Sequence, residues 1–178
     1  EHREFADPRR STLDDDTWTT LAVTGVPEEG TLAVHPLRMD YTDINQGDAR
    51  VAVFHGVYGA PAVDVVLEDD TVLVEDLPYV EDDAEGGFEA GMATVDVAAA
   101  TYTLSLVPTG ETEPVLLTLE ELELEPATFY FIAAGGTPEE PVPVLSAIAI
   151  DEINTMTNAS IGEGDTEADD MSDDMDSE

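Results

Sequence analysis

Ala49–Pro78 reads ARVAVFHGVYGAPAVDVVLEDDTVLVEDLP, and its interpretation decides the fold. Arg50–His55 alternates in the manner of a half-buried strand. Gly56–Pro61 supplies glycine and proline and predicts a compact connection. Ala62–Glu68 and Thr71–Glu75 are valine-rich runs on either side of Asp69-Asp70, a hairpin signal. Three extended runs joined by tight turns set a β expectation for the rest of the chain.

Upstream, Thr17–Thr24 (TWTTLAVT) is rich in β-branched and aromatic residues and predicts a strand. Gly25–Gly30 reads as a turn, and Thr31–His35 as a short strand cut off by Pro36. Downstream, strands are expected at Ala93–Val97, Thr101–Val107, Thr128–Ala133 and Val142–Ile150, the last at a sheet edge because of Pro143. Glu81–Gly87 is expected to be a loop. Val115–Glu125 has helix-forming composition, yet its leucines fall in two alternating blocks. That pattern predicts a strand with a bulge near Glu120-Glu121. About ten short strands with frequent turns predict an all-β fold. The type expected is an antiparallel Ig-like or transthyretin-like β-sandwich. Residues 1–48 form a strand-bearing arm that completes its own or a neighbouring sandwich. Residues 49–153 form the sandwich itself and 154–178 an acidic tail, of which 163–178 have a composition that predicts disorder.

Charge narrows the function classes. The 178 residues hold 42 Asp and Glu against five Arg and no Lys, a formal charge of −37. Nucleic-acid binding requires a basic footprint, and anionic membrane surfaces attract basic segments, so both are excluded. Such self-repulsion is tolerable where salt screens it, at a Debye length of ~3 Å in molar salt. The lysine-free, acid-rich composition resembles that of extremely halophilic microbes, haloarchaea above all. No apolar run approaches the ~18 residues of a membrane span. The start at Glu1 suggests export after removal of a signal sequence, and the sequon at Asn158 agrees, as a glycosylation candidate. Arg9-Arg10 is the only positive cluster. With Trp18 it forms a candidate subunit contact, the alternative being a frayed terminus.

Chemistry is sparse. Zero cysteine removes disulfides and thiolate sites, and zero lysine removes Schiff bases and a phosphate-loop lysine. His35 and His55 each close an expected strand and are expected to hydrogen-bond locally rather than share a metal. Asp64, in an apolar run, is expected to accept backbone N–H bonds or to pair with Arg50. No catalytic residues are assigned. Two acidic loops offer oxygen ligands for calcium or other cations: Asp40, Asp43, Asn45 and Asp48, and then Asp82, Asp83 and Glu85. Neither follows the order of an EF-hand, and solvated acidic loops are the competing explanation.

Ala49–Ile150 resembles the DUF4397 domain family. The carrying residues are His55, Ala60, Pro61, Val63, Asp64 and Val65 in the opening stretch. Val72–Tyr79, Thr101–Leu116 and Leu122–Gly135 follow the family's later segments. The chain departs from the family pattern at Gly56–Gly59, where Ser-Pro-Asp would stand, and at Ala98–Ala100. The resemblance implies a secreted or surface β-sandwich module and brings no catalytic activity with it. The functional expectation is a non-enzymatic extracellular structural protein, a self-associating subunit of a filament, pilus or surface layer. The alternative is a monomeric surface module binding carbohydrate or another surface protein, for which Trp18, Tyr41, Tyr58 and Tyr79 are the available aromatic platform.

Overall fold

The alternating apolar runs become ten strands in a computed structural model that describes residues 18–42, 44–80 and 91–153. They are β1 (Trp18–Thr24), β2 (Ala33–Met39), β3 (Asp48–His55), β4 (Val63–Leu67) and β5 (Val72–Leu77). Then come β6 (Met92–Ala98), β7 (Thr101–Pro108), β8 (Leu117–Glu123), β9 (Thr128–Gly136) and β10 (Pro141–Ala149). They form two four-stranded sheets, ordered β10-β9-β3-β6 and β5-β4-β7-β8, and a two-stranded sheet of β1 and β2.

One core joins the two large sheets. Val51 and Val53 of β3 and Tyr130 and Ile132 of β9 meet Val63 and Val65 of β4 and Leu104 and Leu106 of β7. Each fully buried aliphatic side chain among them contributes about 1.5–3 kcal/mol relative to exposure. The other face of the β3–β9 sheet, carrying Ala52, Phe54 and Phe129, is covered by Leu37 and Met39 of β2. Alternation along β3 therefore serves two apolar layers, and only Asp48 and Arg50 remain partly exposed polar positions on that strand.

Several local expectations hold. The β4–β5 hairpin turns through Asp69-Asp70, with Asp70 at φ 62°. The bulge in β8 falls where the leucine pattern slips, with Glu121 at φ 51° and a register shift between the Tyr102 and Leu104 pairings. β10 is an edge strand.

Two expectations are corrected. Pro36 does not end the second strand: β2 continues to Met39, with Pro36 paired opposite Leu21. A two-stranded sheet leaves each strand one open side, and a residue without N–H can face it. The sheets are also not purely antiparallel, since β3 pairs with β9 in parallel, Arg50 opposite Phe129. Alternation reports which face a side chain takes and carries no information about strand direction. The proposed tail and the first 17 residues lie outside the described residues, as does the expected loop at 81–87.

Candidate functional site

The motif histidine ends β3 in the interior. His55 is fully buried, and its backbone N–H and C=O bond Gly91 and Val80. Its Nε2 lies 2.9 Å from the carbonyl oxygen of Pro61. A carbonyl only accepts, so Nε2 carries the proton and donates. Nδ1 is then a buried acceptor without a hydrogen-bond partner. Burial holds the imidazole below its ordinary pKa, opposed in part by the bond to Pro61.

Around this ring the hairpin of β1 and β2 meets the connection after β3. The Tyr79 ring packs edge-on to His55 at 6.0 Å and to Tyr58 at 6.1 Å. The Tyr79 hydroxyl is 3.1 Å from Thr24 Oγ1, which is 2.8 Å from His35 Nε2. The two histidines are thus linked through Thr24 and Tyr79. His35 lies within β2 rather than at its end. Gly56 permits the approach: a Cβ there would lie 2.8 Å from the Phe54 ring and 2.9 Å from the Thr24 methyl. The sequence marks Gly56 as part of a compact connection and as a departure from a pattern, but not its contact with Thr24, which is more than thirty residues upstream.

Asp64, on β4, accepts backbone N–H bonds from Asp76 at 2.8 Å and Gly110 at 2.9 Å. These bonds hold its carboxyl below the usual carboxylate range, Asp76 first and Gly110 second, against the opposing effect of burial. Of the two partners expected for Asp64, the backbone is the one found. Arg50 is engaged elsewhere, in a two-pronged pair with Asp96 directly across on β6, at 2.7 and 2.9 Å. Its remaining nitrogen donates to the carbonyl oxygens of Asp40 and Thr42, at 3.2 and 2.6 Å, which fastens the connection after β2 onto β3.

In the first acidic loop, Asp40 accepts from the Thr42 hydroxyl at 2.6 Å and its N–H at 3.0 Å, with the Arg50 guanidinium at 3.5 Å. The Thr42 hydroxyl is the main cause of its lowered pKa. The Asn45 amide donates to Asp48 at 3.0 Å. Two different local networks therefore occupy the three described members of this set. Among the described residues no three His, Cys, Asp or Glu side chains group for a metal ion. Asp43, Asp82, Asp83, Glu85, Arg9, Arg10 and Asn158 lie outside the described residues. Trp18 keeps 42 % of its surface exposed and packs edge-on to Tyr41, which packs in turn on Phe129.

No curated protein matches the chain. A profile of one family, described as Domain of unknown function (DUF4397), matches residues 49–159. The matched segment opens one residue into β3 and excludes β1 and β2. The hairpin that brings Thr24 and His35 to the His55 cluster therefore lies outside the matched segment. With well over half of its length matched, the chain belongs to the DUF4397 family.

Proposed function

We propose that this chain is a non-enzymatic structural module of the cell surface of a salt-adapted microbe, working by self-association as a subunit of a larger assembly such as a filament, pilus or surface layer. The observation that carries this reading is the edge formed by β10. It is nine residues long and uncharged, in a molecule of net charge −37. Val142, Val144 and Leu145 are each about half exposed on it. Sheet edges are ordinarily protected by charge, and an unprotected one invites strand addition. The non-enzymatic part of the reading is supported by how the motif residues are used: His55 is committed to a carbonyl, and Asp64 to two backbone N–H groups. The acid-rich, lysine-free composition supports the salt-adapted setting and an extracellular location. Within this reading the two four-stranded sheets form a sandwich of Ig-like or transthyretin-like type.

Light scattering and negative-stain imaging in molar salt test the proposal. Concentration-dependent oligomers or fibres are expected. A monomer at every salt and protein concentration would sink it and leave the surface-binding module as the better reading.

A further inference from the structure

The reading above leaves open which edge meets what. Four strands border the large sheets, and three of them carry acid: Glu75 and Asp76 in β5, Asp96 in β6, and Glu120, Glu121 and Glu123 in β8. β10 carries none. It also overhangs. Its pairing with β9 puts Pro143, Leu145 and Ala147 on the same face as Ala134, Ile132 and Tyr130, which face the shared core. Yet positions 142–147 are all exposed, so the second sheet does not reach beneath them.

The direction of the backbone groups follows from the β9–β10 turn. Thr137 and Glu140 exchange both N–H···O bonds across it, at 3.3 and 3.1 Å. In an antiparallel ladder such doubly bonded pairs recur at every second residue. The β9–β10 register therefore turns the polar groups of Val142, Val144, Ser146 and Ile148 toward β9. Those of Pro141, Pro143, Leu145, Ala147 and Ala149 point away from the sheet. The prolines have no N–H to offer, so the available donors are those of Leu145, Ala147 and Ala149.

We infer that β10 pairs antiparallel with β10 of a second copy of this chain, across a two-fold axis at Ala147. This register sets Leu145 opposite Ala149 and Ala147 opposite its own equivalent. It engages all three donors of each strand in up to six hydrogen bonds, with the Ala149 carbonyl also serving the helical turn at 150–153, and leaves both prolines outside the bonded stretch. Centring the pair on Leu145 instead would oppose Ala147 with Pro143 and lose donors. The second copy is favoured because its β10 opposes no acid to this one, whereas the other strands bordering the two large sheets would bring theirs. The contact is self-complementary, continues the β10-β9-β3-β6 sheet into its twin, and makes a two-copy unit from which a larger assembly would grow through other surfaces. It rests on the assembly reading above.

The chain has no cysteine, so one introduced thiol reports one position. Directly opposed residues of a bonded antiparallel pair lie about 5.5 Å apart at Cα, within disulfide reach. In molar salt under mild oxidation, Ala147→Cys is expected to give a covalent dimer. Leu145→Cys and Ala149→Cys are expected to cross-link when mixed and to stay monomeric separately, because like positions are then roughly 13 Å apart along the strands. Ala147→Pro, which removes only an outward N–H, is expected to weaken dimerisation of the folded chain at least tenfold in sedimentation. Unmutated chain that oligomerises while Ala147→Cys fails to cross-link would overturn this pairing and leave the assembly reading standing. A strictly monomeric chain would overturn both. Cross-linking of Leu145→Cys alone would show a different register and equally refute the two-fold at Ala147.

Discussion

Asp64 is the residue on which the motif turns. Its two backbone donors come from Asp76 near the end of β5 and from Gly110 in the loop after β7, so one carboxylate ties three segments. Asp64→Asn keeps one acceptor and turns an amide N–H₂ toward the other donor. It is expected to cost about 2 kcal/mol in denaturant unfolding, the scale of a hydrogen bond to a charged group. A loss under 0.5 kcal/mol would refute the tie. Because the folded-state pKa of Asp64 is lowered, its contribution is complete above the ordinary carboxylate pKa of 3.8 and is lost as pH falls through the lowered value. His55 acts in a separate window. Its pKa is also lowered, so the unfolded chain takes up the proton first as the solution is acidified. Stability is expected to be level above about pH 7 and to decline as pH falls below the ordinary 6.5 of imidazole. His55→Asn should flatten that decline between pH 7 and 5, and an unchanged slope would assign the decline to another group.

Elements of this molecule were legible in the sequence to the degree that their signals are local. The β4–β5 hairpin needed only Asp69-Asp70, and the β8 bulge only the misplaced leucines around Glu120-Glu121. Thr24, His35, Gly56 and Tyr79 were separately visible, but their meeting was not, since nothing in the alternation of β1 says which sheet face receives it. The hairpin of β1 and β2 is where this matters most. Leu37 is almost wholly buried against the outer face of β3 and β9. Leu37→Ala is expected to cost about 2–5 kcal/mol. Hydrogen exchange should accelerate first in β1 and β2, with β4 and β7 affected less. Uniform acceleration would mean that the hairpin and the two-sheet core unfold as one unit.

The whole molecule is governed by its charge. Like charges spread over its surface oppose compaction, and salt screens them. The denaturation temperature is therefore expected to rise steeply between low salt and molar salt, and the same shift should follow with sodium or potassium chloride. Full stability in low salt without divalent ions would contradict the salt-adapted reading. The central pair of the β10-β9-β3-β6 sheet has a different kind of consequence. β3 and β9 join residues 79 positions apart, Arg50 to Phe129, whereas β7 and β8 join Ser105 to Thr118 across 13. Closing the longer loop costs about 1.6 kcal/mol more entropy, or roughly tenfold in rate if the cost is met before the contacts form. Hairpins such as β4–β5 can therefore form early, while Val51, Val53, Tyr130 and Ile132 wait for a distant partner. Folding should be timed by the arrival of β9 beside β3, and the nascent chain keeps the centre of that sheet unmade until β9 has been synthesised.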